Sequence, residues 1–277
     1  MHYMQAIITG IIQGLTEFLP VSSSAHLVLT AEIFEKFLHF SHISDSEELF
    51  FDLMLHLGTL IAVIIYFKTD LINIFKAFFK AFKTKNFDED NNSKLFIFIL
   101  IGTVTSICLA FPFRDLLEEI FQRPDLVGFF LLGTASLLTF TEFYSQHHSK
   151  DSSISVKKAV FIGLFQGMAM IFRGISRSGS TMAAGLLSGL SRVEAARYSF
   201  LLSVPIILLA VVFHSMELLS TGQLCCFSIG PILVGTAVST LVGYICIKYF
   251  LIFLQKHTLY YFAIYCAIVG ILAIKSF

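Results

Sequence analysis

The chain has 277 residues, of which 56% are hydrophobic and 14% charged, with a mean hydropathy of +0.81. Those values exclude a soluble globular domain and define an integral membrane protein. Lys and Arg total 19, and so do Asp and Glu, so net charge offers no case for nucleic acid and the cations inform only by position.

The first apolar stretch, at about 4–19, has some 16 residues and reaches only ~24 Å of a ~30 Å hydrocarbon core. Pro20 and three serines follow it, then a second short apolar helix at about 25–38. The pair reads as a re-entrant hairpin with its polar tip inside the membrane. Spans follow at about 49–67, 95–112 and 126–143, each close to the roughly 17–25 residues that a crossing needs. A second short pair lies at about 158–172 and 180–190, and further spans are expected at about 198–213, 228–247 and 259–275, which makes about six transmembrane helices. The N-terminus lacks a basic n-region and carries Gln13 and Glu17 in its apolar stretch, so it does not read as a cleaved signal peptide. Cys108, Cys225, Cys226, Cys246 and Cys266 show no CxxC spacing and read as packing residues.

The loops at 68–94, 144–158 and 248–257 hold most of the lysines, from Lys68 to Lys256, and are expected to be cytoplasmic. The alternate loops at 32–48, 113–125 and 214–227 are richer in acids such as Asp45, Glu47, Glu118 and Glu119. This places the first hairpin on the outer side, while Arg192 and Arg197 place the second on the inner side. Gln13 to His26 (QGLTEFLPVSSSAH) and Gln166 to Thr181 (QGMAMIFRGISRSGST) read as one motif written twice. Three spans separate the copies, an odd number, so the expected architecture is all-α, a single polytopic domain with inverted repeats at 1–143 and 158–277.

Polar groups at such depth mark a site, since one charge costs on the order of 2.5–3.5 kcal/mol at a helix centre. In the second tip Arg177 is flanked by Ser176 and Ser178, with Ser180 and Thr181 opening the next helix and Gly174 and Gly179 permitting close approach. A guanidinium, hydroxyls and a helix N-terminus converging on one spot form a cradle for a phosphate-like anion. In the first tip Gln13 and Glu17 share a helix face and could hold a hard divalent cation, Mg²⁺ or Ca²⁺, through oxygen. Glu17 could equally pair with Arg173 or Arg177. His26 follows Ser23 by three residues, close enough for a hydroxyl and an imidazole to meet, although a triple-Ser turn also serves as a helix cap. His56, inside the first span, needs a partner there, either the site or a neighbouring helix. Glu194 and Arg197 have the spacing of an i, i+3 ion pair.

EFLPVSSSAH, GISRSGST and FDLMLHLGT, with SRVEAARYSFLLSVP downstream, resemble the signatures of the undecaprenyl-pyrophosphate phosphatases, the bacitracin-resistance membrane phosphatases, over nearly the whole chain. The resemblance implies metal-dependent removal of the terminal phosphate from a C55 polyprenyl pyrophosphate on the outer face of a bacterial plasma membrane. The partners it implies are that lipid and the bilayer, with a homodimer left open. Its (E/Q)xxxE motif falls on Gln13 and Glu17 as metal ligands, and its serine turn and histidine fall on Ser22, Ser23 and His26. Ser23 would be the nucleophile with His26 assisting proton transfer, and a direct His26 nucleophile fits equally. Its PGxSRSGxT motif falls on Arg173 to Thr181, so that Arg173, Gly174, Ser176, Arg177, Ser178 and Thr181 would clasp the pyrophosphate. Arg173 stands where the family has proline. The rival reading is a transporter or flippase for an anionic lipid, since inverted hairpins also suit alternating access. Against it, the second copy has Met170 where the first has Glu17.

Overall fold

The computed structural model describes residues 2–38, 45–87, 90–113, 124–147, 153–172, 174–220 and 227–276. Among the described residues eleven α-helices follow one another: α1 (Tyr3–Thr16), α2 (Ser23–Leu38), α3 (Asp45–Tyr66), α4 (Lys68–Thr84), α5 (Asn91–Ala110), α6 (Pro124–Gln146), α7 (Val156–Ile171), α8 (Arg177–Leu187), α9 (Arg192–Ser220), α10 (Ile229–Leu254) and α11 (Tyr260–Ser276). Helices α3, α5, α6, α9 and α10 are long and apolar enough to cross a membrane, and α11, with 17 residues, covers the sixth expected segment. The two short pairs are α1 with α2 and α7 with α8. Helix α1 has 14 residues and α8 has 11, too few to cross by themselves.

Apolar surface gives helices no reason to associate inside lipid, so contact depends on small residues that let backbones approach. A Cβ on Gly10 of α1 would lie 2.6 Å from the Gly235 carbonyl oxygen of α10, and one on Gly14 would lie 2.9 Å from that of Ser239. Helix α7 meets α5 through the same device. A Cβ on Gly163 would lie 2.6 Å from the Gly102 oxygen, and one on Gly167 would lie 2.9 Å from the Ser106 oxygen. Gly128 of α6 and Gly270 of α11 meet reciprocally at 2.7 and 2.8 Å from each other's carbonyl oxygens. Buried hydroxyls add bonds across these seams. Ser239 donates to the Leu55 carbonyl at 2.9 Å, and Ser106, facing the Gly163 carbonyl at 2.9 Å, accepts from Gln166 Nε2 at 3.0 Å. The main core gathers Phe18, Tyr198, Phe200 and Phe250, with Phe18 edge-on to Phe200 at 5.3 Å. Cys246 and Cys266 are buried and reach the Leu15 and Pro20 carbonyls, in keeping with packing roles, whereas Cys108 is exposed.

Three sequence expectations are corrected. The basic loop at 68–94 begins instead as helix α4, because its lysines are phased with Ile74, Ala77 and Ala81 at helical spacing; it ends at Lys85, whose φ of 55° is left-handed. Helix α9 runs on to Ser220, into the segment from 214 that the charge pattern of the sequence marks as an outer loop. Glu194 and Arg197 do not pair. Glu194 accepts from the Ser191 hydroxyl at 2.7 Å, capping α9, and Arg197 bonds Asp70 of α4.

Candidate active site

Glu17 follows the last residue of α1, where its N–H still bonds the Gln13 carbonyl at 3.0 Å, and is only 6% exposed. Its carboxylate is the centre of the site. Oε2 accepts from Ser23 Oγ at 2.7 Å and from Gln13 Nε2 at 3.0 Å, while Oε1 takes a guanidinium N–H of Arg177, the first residue of α8. His56 Nε2 stands 3.6 Å from Oε2. Four elements therefore converge: the end of α1, the start of α2, the middle of α3 and the start of α8.

The chain reverses between α1 and α2 through Leu19–Pro20–Val21, where the Val21 N–H bonds the Leu19 carbonyl at 2.8 Å. Ser22 then adopts φ 69°, a left-handed conformation that costs a non-glycine residue of order 1–3 kcal/mol. The turn is held because the Ser22 hydroxyl accepts from the Ala25 N–H at 3.3 Å and its carbonyl receives His26 Nδ1 at 2.7 Å. A carbonyl can only accept, so Nδ1 carries the proton and, in the neutral ring, Nε2 presents its lone pair. That lone pair meets the Tyr265 hydroxyl of α11 at 2.8 Å, with the two rings nearly parallel at 9°.

The second tip supports the first. Ser176 caps α8 by accepting from the Gly179 N–H at 3.0 Å, and its own N–H bonds Thr134 Oγ1 at 3.1 Å. Ser178 crosses to the Leu19 carbonyl at 2.8 Å, tying one hairpin to the other. Thr181 shares a 2.6 Å bond with Ser199. Gly174, at φ 110°, lies so close to Phe130 that an added Cβ would stand 2.9 Å from Cβ of that ring's residue.

Of the residues singled out from sequence, Gln13, Glu17, Ser23, Arg177 and His56 come together. Ser176, Ser178 and Thr181 are buried, and their hydroxyls hold the tip and its neighbours together. The partner of Ser23 is Glu17, while His26 is engaged with Tyr265. Arg173 lies outside the described residues. Tyr265 was not foreseen, being 239 residues from His26 with no spacing signal to reveal it.

Two buried atoms in this constellation have no hydrogen-bond partner among the described residues: Gln13 Oε1 and Arg177 Nη1. An orphaned acceptor and an orphaned donor on either side of one carboxylate invite a cation and an anion together. Gln13 Oε1 and Glu17 are oxygen donors of the kind a hard divalent cation takes. No group of three or more His, Cys, Asp or Glu that could hold a metal exists among the described residues.

Fold and site together define an α-helical membrane protein with a buried serine–glutamate–arginine centre where its two hairpins meet. The family model described as "Bacitracin resistance protein BacA" matches residues 6–272, and the chain belongs to that family. A protein of Halothermothrix orenii named "Undecaprenyl-diphosphatase" is 42% identical over 99% of this chain and 98% of its own length. One of Geotalea daltonii bearing the same name is 39% identical over 99% and 98%. A Bacillus cereus protein named "Undecaprenyl-diphosphatase 4" is 36% identical over 98% and 96%.

Proposed function

We propose that this chain hydrolyses undecaprenyl pyrophosphate to undecaprenyl phosphate and inorganic phosphate, recycling a lipid carrier for cell-wall synthesis and supporting bacitracin resistance. The names of its relatives support the substrate, and one observation carries the chemistry: the Ser23 hydroxyl donates at 2.7 Å to a carboxylate that also holds Arg177. In this reading a nucleophile, its base and a phosphate-binding cation meet on one carboxylate, Ser23 at Oε2 and Arg177 at Oε1.

In this reading Ser23 Oγ attacks the terminal phosphorus while Glu17 takes its proton. The bond from that phosphorus to the bridging oxygen breaks, and undecaprenyl phosphate leaves. Arg177 Nη1, otherwise unpartnered, binds a non-bridging oxygen and stabilises the charge that develops there. Water then displaces the serine from the phosphoryl group: the bond from phosphorus to Ser23 Oγ breaks, Oγ recovers the proton held by Glu17, and the water's proton passes to His26 Nε2 once the Tyr265 hydroxyl yields. Ser22 holds the imidazole in the tautomer this step requires. A divalent cation held by Gln13 Oε1 and Glu17 would neutralise pyrophosphate charge. Gly174 shapes the tip, and Ser176, Ser178 and Thr181 keep Arg177 in place; Arg173 adds positive charge beside it in sequence.

The two hairpins and their matching glycine seams support an inverted repeat, 1–143 against 158–277. The lysine-rich loops support a plasma-membrane protein whose site opens to the outer side.

The test is phosphate release from undecaprenyl pyrophosphate by detergent-purified protein. Ser23→Ala removes the attacking oxygen and is expected to lower turnover on the order of 10⁶-fold, while the lost bond to the buried Glu17 carboxylate costs about 1–3 kcal/mol of stability. Full turnover in a well-folded Ser23→Ala protein would remove the nucleophile from this scheme.

A further inference from the structure

Helix α4 has no part in the proposed chemistry, yet it carries two apolar stripes. In the first, Ile74, Ala77 and Ala81 are buried, and Phe78 stacks on Phe96 of α5 with ring centroids 4.0 Å apart. The second consists of Ile72, Phe75, Phe79 and Phe82, which recur at i, i+3, i+7 and i+10 and are 50–67% exposed. Beside it run Lys76, Lys80 and Lys83, all exposed. Three outward phenylalanines are unfavourable in water, and three lysines in hydrocarbon cost on the order of 2.5–3.5 kcal/mol apiece. Only the boundary between the two satisfies both.

The fold holds α4 at that boundary. It starts two residues after the span α3 ends at Tyr66, and Phe78 meets Phe96 within the first two turns of the span α5. A second copy is a poor cover for the stripe, because a self-complementary contact would bring the two lysine rows together.

We propose that α4 is an anionic-lipid binding surface, with Ile72, Phe75, Phe79 and Phe82 entering the acyl boundary while Lys76, Lys80 and Lys83 bind phospholipid phosphates. The inference does not depend on the hydrolytic reading. A lysine near a charged surface is worth up to ~1 kcal/mol, about fivefold, and the three on this short face are expected to give at least a several-fold preference for an anionic headgroup.

The chain contains no Trp, so Phe79→Trp supplies a single fluorophore. The full-length variant is reconstituted in phosphatidylcholine vesicles carrying equal mole fractions of either brominated phosphatidylcholine or brominated phosphatidylglycerol. The expected result is bromine quenching of Trp emission that favours the phosphatidylglycerol probe several-fold, falling toward unity when K76Q, K80Q and K83Q are added. Phe82→Trp repeats the reading where the first variant folds poorly. Quenching by aqueous iodide and not by bromolipid would overturn the proposal. So would equal quenching by both lipids, or shielding from both with chemical cross-linking of two chains.

Discussion

Replacing Glu17 by Gln keeps the size of the side chain and removes its charge, which separates two roles of one carboxylate. The Glu17 side chain is 5% exposed and that of Arg177 is 16%, so the variant leaves a guanidinium nearly buried without its counter-charge. Breaking such a pair from one side costs about 3–5 kcal/mol. The amide also loses charge assistance in the bond from Ser23, a further ~1 kcal/mol. Loss of the base is expected to lower turnover roughly 10²–10⁴-fold. The decisive variant is Glu17→Gln with Arg177→Gln, which removes both charges. Its stability loss should be smaller than the sum of the two single losses by several kcal/mol, whereas its activity should recover nothing. Unfolding in detergent and phosphate release from the same preparations give both numbers. Additive stability losses, or Glu17→Gln turnover within threefold of the parent, would refute the reasoning.

Tyr265→Phe removes the bond to His26 Nε2 while Ser22 still fixes the tautomer; the expected result is a change in kcat of roughly 2- to 13-fold, the equivalent of about 0.5–1.5 kcal/mol, with KM nearly constant in steady-state assays. Gly174→Ala forces a Cβ onto Phe130 at a left-handed φ, and a stability loss of about 2–4 kcal/mol is expected in thermal unfolding. A chelator should abolish phosphate release. Gln13→Glu should restore activity at lower added metal than the parent needs, and Gln13→Leu, lacking oxygen, should not respond to metal.

The hairpins were legible in the sequence because shortness, Pro20 and the serine cluster are local properties, as is the capping hydroxyl of Ser176. The pairing of Glu17 with Arg177 was foreseen as one of several partnerships, since a buried carboxylate in a membrane must find a cation and few cations were available. Spacing misled where two residues could meet along one helix but found better partners across the fold. Ser23 and His26 are three apart, yet the left-handed Ser22 opens α2 with the serine facing Glu17 and the imidazole facing Tyr265. Glu194 and Arg197 are likewise three apart, yet capping claimed one and Asp70 the other. The number of lysines after residue 67 marks a side of the membrane, and only their phase with Ile74, Ala77 and Ala81 marks helix α4.

The sequence by itself determined that this is a helical membrane protein with two broken hairpins, and that only the first carries a carboxylate, because burial cost and helix length follow from composition and spacing. The tertiary structure decided which polar group meets which. Hydrogen bonds and ion pairs act over a few ångströms, and the contacts that bring α1, α3, α8 and α11 within that range, such as Gly14 on Ser239 or Ser178 on Leu19, join residues far apart in the chain. Only packed backbones fix those distances.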